Sequence, residues 1–96
     1  MLEKTIEQRL VKKVQQAGGV AYKWVAPGQS GVPDRIVIMP TEAGPARVFF
    51  VELKTDTGRL SKVQERQHMR LKALGADVRV VWGRDGVDAF IEEVMQ

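Results

Sequence analysis

Asp34, Glu52 and Lys54 are three charged residues set beside apolar runs of the sequence. Side chains alternate between the faces of a strand, so Glu52 and Lys54 share one face, and Asp34 shares a face with Ile36 on the preceding run. Two carboxylates held side by side repel each other. Mg²⁺, which prefers oxygen ligands, is the usual cation that relieves such repulsion. The residue types and their spacing therefore indicate a divalent metal site next to a lysine.

The pairing of the two strands decides whether these carboxylates meet. A hairpin that turns about Ala43 pairs apolar residues with each other, Ile38 with Val48 and Ile36 with Phe50. Register in a half-buried sheet is set by this kind of pattern. The same register places Asp34 opposite Glu52.

Each charge also has an ordinary structural explanation when it is taken alone. Asp34 follows Pro33, and Pro-Asp is common in turns. Glu52 and Lys54 are two residues apart and can form a solvated pair on an exposed strand face. These explanations are weaker for the three residues together, because the other residues on the same strand faces are apolar.

The remaining sequence predicts the elements that position these residues. Apolar residues recur at helical spacing over residues 3–17, and Gly18-Gly19 ends that helix. Runs rich in β-branched and aromatic residues predict strands over residues 20–26, 35–39, 48–53 and 77–82. A helix runs from Ser61 to about Leu74, and a Gly-Arg-Asp-Gly turn precedes a short last helix marked by Val87, Phe90, Ile91 and Val94. The predicted order is αβββαβα, in the α/β class.

Length and composition limit the classes of protein that fit. We expect residues 1–96 to form a single domain, since a chain of 96 residues can bury one core. The net charge of +3 permits a nucleic-acid partner without requiring one. The chain has no cysteine, which excludes thiolate metal sites, and no apolar segment of membrane-spanning length. We expect it to stay in the cytoplasm, because its first residues lack an apolar signal region.

The motifs resemble a known group of enzymes. Pro33-Asp34, seventeen further residues and then Glu52-x-Lys54 resemble the PD-(D/E)xK nuclease superfamily, whose αβββαβ core is a mixed four-stranded sheet flanked by helices. The strings GVPD, VELK and LSKVQ, in that order, with EQRLVKKVQQAGG before them, are similar to its VRR-NUC (virus-type replication-repair nuclease) branch, which is related to archaeal Holliday-junction resolvases.

The resemblance implies a role for each matching residue. Asp34 and Glu52 would bind Mg²⁺ or Mn²⁺, and the carbonyl of Leu53 would add a ligand. Lys54 would orient or deprotonate the attacking water and offset charge on the phosphate. This chemistry fits phosphodiester hydrolysis, which needs a Lewis acid, a positioned water and positive charge near the developing oxyanion.

The resemblance also implies an acidic residue from the first helix, for which Glu7 and Glu3 are the candidates. Both fall within the apolar stripe of that helix. Glu3 has a simpler explanation, because the helix dipole favours a carboxylate in the first turn. Glu7 lies deeper in the helix, where carboxylates are rarely found unpaired, so we favour Glu7.

The second long helix supplies weaker candidates. Gln64 matches the family's glutamine after the active-site strand, and it also completes a capping box with Ser61. Gln67 shares its helix face. The lone histidine, His68, has no feature that points to a role, so we expect a surface residue.

Four basic residues follow the VELK motif and are candidates for DNA binding: Arg59, Lys62, Arg66 and Arg70. The last three are spaced four apart, so they form one ridge that can track a phosphate backbone. An ordinary solvated helix face is the alternative, and Glu65 dilutes the charge. The loop APGQSGVP before Asp34 either brings backbone N–H groups to a phosphate or is only a connection.

Taken together, the resemblance implies a metal-dependent DNA endonuclease that acts on branched DNA such as Holliday junctions as a homodimer. Trp24, Trp82 and Phe90 are apolar candidates for the dimer interface or the core. Two other readings stay open. One is a non-catalytic DNA-binding module on the same fold, and the other is a small structural domain whose charges are surface pairs.

Overall fold

The computed structural model describes residues 3–95, which form three helices and one four-stranded sheet. In chain order the elements are α1 (Glu3–Gln16), β1 (Val20–Lys23), β2 (Arg35–Met39), β3 (Arg47–Lys54), α2 (Lys62–Ala73), β4 (Val78–Trp82) and α3 (Gly83–Val94). This order is αβββαβα, as the sequence predicts. The α/β class with a mixed sheet flanked by helices is confirmed.

The sheet has the order β1-β2-β3-β4, and only its last pair is parallel. α2 is the crossover that a parallel pair requires. The β2–β3 hairpin has the predicted register, with Ile38 opposite Val48 and Ile36 opposite Phe50. One more backbone bond, from Trp24 N–H to the Asp34 carbonyl at 2.9 Å, extends the β1–β2 pairing toward the loop.

The main core lies on one face of the sheet, where α1 and α3 pack. α1 buries Ile6, Leu10 and Val14 at helical spacing, and its predicted apolar stripe is confirmed. The sheet contributes alternate residues to this core, namely Val37, Met39, Phe49, Val51 and Leu53. Phe90 of α3 meets Phe49 edge-on, with ring centroids 5.4 Å apart, so Phe90 is a core residue. Burying Phe49, Val51 and Leu53 turns Glu52 to the opposite face.

That opposite face is covered only in part. α2 lies over its β3–β4 side, where it contacts Glu52 and β4. The uncovered part, here called the open sheet face, consists of Val20, Tyr22, Ile36, Ile38, Val48 and Phe50. Tyr22 is 62% exposed and Val48 is 42% exposed. The apolar residues of this face therefore form a surface beside the site and lie outside the main core.

The structure differs from the sequence-based prediction at the ends of two elements. β1 ends at Lys23, three residues before the predicted end, because the chain then turns into the loop before Asp34. The predicted Gly-Arg-Asp-Gly turn is the first turn of α3, which begins directly after β4 at Gly83. Gly83 has a positive φ of 63°, and a Cβ there would overlap the Asp56 carboxylate. Within residues 3–95, no helix has the length and apolar character needed to cross a membrane.

Candidate active site

Asp34 is fixed at the junction of the loop and β2. The buried Pro33 precedes it, and its backbone carbonyl is paired with Trp24. Its Oδ2 accepts a hydrogen bond from the backbone N–H of Leu53, with a donor–acceptor distance of 2.9 Å. Asp34 is therefore tied to β3 beside Glu52, as the hairpin register predicts.

Glu52 is buried, with only 1% of its surface exposed. Its Oε2 lies 4.0 Å from Lys54 Nζ and accepts a long hydrogen bond of 3.4 Å from Gln64 Nε2. Gln64 also forms the predicted capping box, since its Oε1 accepts from Ser61 N–H and its own N–H donates to Ser61 Oγ. The helix cap thus holds Gln64 against the site, and both of its expected roles are consistent with the geometry.

The pKa of Glu52 is raised to about 8, first by burial and then by the neighbouring Asp34 carboxyl group. The Lys54 charge lowers this pKa, but not enough to cancel the other causes. Glu52 therefore retains a proton near neutral pH unless more positive charge arrives. A bound cation would favour the ionised form of both carboxyl groups.

A cavity of about 190 Å³ lies beside this pair and has Asp34, Leu53, Glu3 and Glu7 in its wall. The donors fit a hard divalent cation, because they are carboxylate and backbone oxygens, and Glu52 Oε1 is buried without a hydrogen-bond partner. Within the described residues, no three acidic or histidine side chains are grouped closely enough to hold a metal alone. A cation here would complete its coordination with backbone oxygen and water, as Mg²⁺ commonly does.

The two acidic candidates of α1 have different environments. Glu7 forms an ion pair with Arg35, whose guanidinium also donates to the Ala21 carbonyl at 3.1 Å. Glu3 is exposed, and its charge contributes to the raised pKa of Glu52. Both line the cavity, but Glu7 already has a cationic partner. The geometry therefore favours Glu3 as the site carboxylate of α1 more than the sequence does.

The expectation that His68 lies on the surface is wrong. Its exposure is 3%, and Nε2 lies 3.6 Å from Glu52 Oε1. α2 is largely polar, so the apolar spacing that marks a buried helix face is weak in its sequence. The spacing of Gln64 and His68, four residues apart and on one helix face, is the feature from which their shared target can be inferred.

Two loops are packed against the site. Gly31, at a positive φ of 85°, lies against the first turn of α2, where a Cβ would approach the Val63 carbonyl to 2.8 Å. Gln67 donates to Gln29 at 3.3 Å, which joins the same loop to α2. On the other side, the indole N–H of Trp82 donates to the Gly58 carbonyl at 2.8 Å and holds the loop after β3.

The four basic candidates are all exposed: Arg59, Lys62, Arg66 and Arg70. None of the ion pairs formed within residues 3–95 involves them. The last three lie along α2, the helix that also carries Gln64 and His68. Residues two positions apart lie on opposite sides of a helix, so this ridge faces away from Gln64 and His68 and presents its charge at the outer surface of α2.

Sequence reasoning missed two further residues at the site. Trp24 lines the cavity and packs on Phe50, with ring centroids 5.1 Å apart. The side chain of Arg35 points away from Asp34 and binds Glu7 of α1 on the core face of the sheet. Strand alternation could have placed Arg35 on the same face as Val37. Its partner Glu7 could not be predicted in this way, because the contact depends on how α1 packs against the sheet.

Comparisons with known proteins agree with this architecture. The family model described as the VRR-NUC domain matches residues 4–85. The protein named "Putative nuclease p44" of Acyrthosiphon pisum secondary endosymbiont phage 1 is 43% identical over 83 residues, which cover 86% of this chain and 85% of that protein. A solved structure described as a VRR_NUC domain is 32% identical and superposes with a TM-score of 0.84, covering 94% of each chain.

Proposed function

The chain belongs to the VRR-NUC family of nuclease domains, and from this membership we propose that it is a Mg²⁺- or Mn²⁺-dependent endonuclease that cuts branched DNA as a homodimer. The observation that carries the metal dependence is the Asp34–Glu52 pair. Glu52 is buried and has a pKa of about 8, so it ionises fully at neutral pH only when positive charge is added. A divalent cation supplies that charge.

The proposed division of roles follows from the positions of the side chains. Asp34, Glu52 and the carbonyl of Leu53 would hold the cation, with Glu3 or Glu7 of α1 facing it across the cavity. When bound, the cation supplies Lewis-acid chemistry and a site for water next to the phosphate. Lys54, with Nζ 4.0 Å from Glu52 Oε2, would offset the negative charge that develops on the phosphate oxygens.

The proposed path for DNA runs along α2. Lys62, Arg66 and Arg70 form an exposed ridge that leads away from the site, and Arg59 lies in the loop just before it. Contacts of this kind bind phosphates irrespective of base sequence. Recognition of a branched shape by the backbone, without base readout, is consistent with this arrangement.

A second copy of the chain is the proposed partner at the open sheet face. This face is apolar, lies on the same side of the sheet as Glu52, and exposes Tyr22 and Val48. Closed pairs with two-fold symmetry are the commonest homo-oligomers. Two sites fixed by such a pair could cut two strands of one junction. The proposal extends to this chain the relation between the VRR-NUC branch, which its motifs resemble, and junction resolvases.

A cleavage assay tests the proposal. Purified protein would be incubated with an end-labelled four-way junction, a 5′ flap and a linear duplex, each with Mg²⁺, Mn²⁺ or EDTA. Asp34→Asn and Glu52→Gln serve as variants that keep side-chain size but remove charge. We expect metal-dependent cutting of the junction in preference to the duplex, and its loss in both variants.

The outcomes separate the alternatives. Symmetric nicks in the junction would support the dimer. Cutting of all three substrates at equal rates would remove the branched specificity but keep the nuclease. DNA binding without cutting under any metal would instead favour a non-catalytic module and overturn the proposed activity.

A further inference from the structure

Glu52 and His68 are the only charged or titratable side chains that are fully buried among the described residues. They face each other, with His68 Nε2 3.6 Å from Glu52 Oε1. This distance is too long for a hydrogen bond. Yet Glu52 Oε1 and both ring nitrogens of His68 have no other hydrogen-bond partner. Buried polar atoms are nearly always paired, so the unpaired atoms that face each other here require an explanation.

α2 presents two side chains to the two oxygens of this one carboxylate. Gln64 and His68 are four residues apart, so they lie one above the other on the same helix face. Gln64 Nε2 donates to Oε2 at 3.4 Å, and His68 Nε2 lies 3.6 Å from Oε1. Gln64 is itself held by the capping box with Ser61. The arrangement resembles a clamp that fixes the rotation of the Glu52 carboxylate.

We propose that His68 is a positioning residue, which donates a hydrogen bond from Nε2–H to Glu52 Oε1 and so orients this carboxylate for the cation. The inference rests on the proposed metal site. Closing the gap from 3.6 Å to hydrogen-bonding distance requires a shift of a few tenths of an ångström. His68 is buried on the inner side of α2, so it would act through Glu52 and would not contact the DNA.

The surroundings of His68 are consistent with a donor role. Burial, followed by the Lys72 and Lys54 charges, lowers the pKa of His68, while Asp34 raises it. A neutral imidazole has one N–H donor, and the nitrogen that faces a carboxylate is the one that carries it. Hydrogen bonds of this kind to metal-binding carboxylates set metal affinity, and their loss typically weakens it about 10- to 100-fold.

Two substitutions separate donation from packing. His68→Gln keeps an N–H donor at nearly the position of Nε2, whereas His68→Leu keeps the volume and removes the donor. Met69→Leu, at an exposed position on the same helix, is the matched control. Calorimetric titration with Mn²⁺ in the absence of DNA would give affinities, and thermal unfolding in EDTA would show that each variant folds.

We expect His68→Leu to bind Mn²⁺ about 10- to 100-fold more weakly, and His68→Gln and Met69→Leu to remain close to the wild type. Equal affinity in His68→Leu, or equal loss in both His68 variants, would overturn the proposal. Wild-type protein that binds no Mn²⁺ would instead overturn the proposed metal site, on which the inference depends.

A measurement on the unsubstituted protein covers the case in which His68→Leu does not fold. His68 is the only histidine in the sequence, so ¹⁵N NMR shifts of its ring are assigned without ambiguity. With saturating Mg²⁺, which would hold Glu52 as the carboxylate in the proposed site, we expect the Nε2-protonated tautomer. A ring protonated at Nδ1 alone, with Nε2 bare, would exclude donation to Glu52.

Discussion

Glu52 is the residue at which the chemistry of the site and the stability of the fold meet. Its environment combines burial, a neighbouring carboxylate and a lysine that offsets only part of the cost. Such a residue is costly to keep in a small domain, because buried charges are tolerated mainly when they are paired. The cost is consistent with a side chain retained for its chemistry.

Its raised pKa predicts how stability depends on pH. Between the ordinary glutamate pKa of 4.5 and the folded pKa of about 8, the folded protein binds more protons at Glu52 than the unfolded chain does. Stability without metal therefore falls as pH rises through this range, with a slope of at most about 1.4 kcal/mol per pH unit. His68, whose pKa is lowered from 6.5, contributes with the opposite sign below pH 6.5.

Urea unfolding in EDTA between pH 6.5 and 8.5 would measure this dependence where His68 interferes least. We expect the free energy of unfolding to decline in the wild type and to stay flatter in Glu52→Gln. Added Mg²⁺ should restore stability at the upper end of the range, because a ligand that binds only the folded state stabilises it. Parallel curves for both proteins would mean that the Glu52 pKa is not raised.

At the scale of elements, α1 carries two carboxylates one helical turn apart that have different tasks. Glu7 forms an ion pair with Arg35, whose side chain is only 15% exposed, whereas Glu3 is exposed at the cavity and contributes a small part of the raised pKa of Glu52. The same helix thus binds the core face of the sheet through Glu7 and brings the Glu3 carboxylate of its first turn to the cavity.

This difference predicts opposite effects of two matched substitutions. Glu3→Gln should lower the cleavage rate about tenfold or more at limiting Mg²⁺, with little change in thermal stability. Glu7→Gln should destabilise the fold by about 1–3 kcal/mol, because Arg35 loses its partner. Cleavage rates at several Mg²⁺ concentrations and urea unfolding would be compared. The reverse pattern would restore Glu7 as the site carboxylate.

The elements also show what the sequence can and cannot predict. The hairpin register follows from pairing Ile38 with Val48, and the start of α2 follows from its capping box. The burial of His68 does not follow, because the only fully buried side chain of α2 is polar and no apolar stripe marks its inner face. The start of α3 was hidden by Gly83 and Gly86, which resemble a turn.

The same limit applies to the site. Asp34, Glu52, Lys54 and Gln64 could be brought together from strand alternation, register and a cap, all of which are local rules. The engagement of Glu7 by Arg35 joins residues 28 positions apart in different layers. Partners of this kind are set by helix packing on the sheet, which a single sequence does not specify.

At the scale of the whole molecule, α1 and α3 cover one face of the sheet, whereas α2 covers only part of the other. The open face is built of two rows that cross the strands, Val20–Ile38–Val48 and Tyr22–Ile36–Phe50. Rows of apolar side chains of this extent are typical of surfaces that bind another protein. The next row along the same strands contains Asp34 and Glu52, so a partner at this face would lie beside the site.

Replacing Tyr22 and Val48 together by lysine tests this arrangement. We expect light scattering to show a dimer for the wild type and a monomer for the double variant, because like charges would meet across the interface. Mn²⁺ affinity should be unchanged, since the cation site lies within one chain. Met69→Lys, which places a charge at an exposed apolar position on α2, should remain a dimer. A wild-type monomer at all concentrations would remove the proposed assembly.

The hydrogen bond between Trp82 and Gly58 has a further, optical consequence. The chain contains two tryptophans, of which Trp24 lies in the cavity wall and Trp82 is hydrogen-bonded to the loop after β3. Their emission responds to changes in local polarity and hydrogen bonding. The protein therefore carries its own fluorescent reporter, and events in the cavity can be followed without attaching a dye.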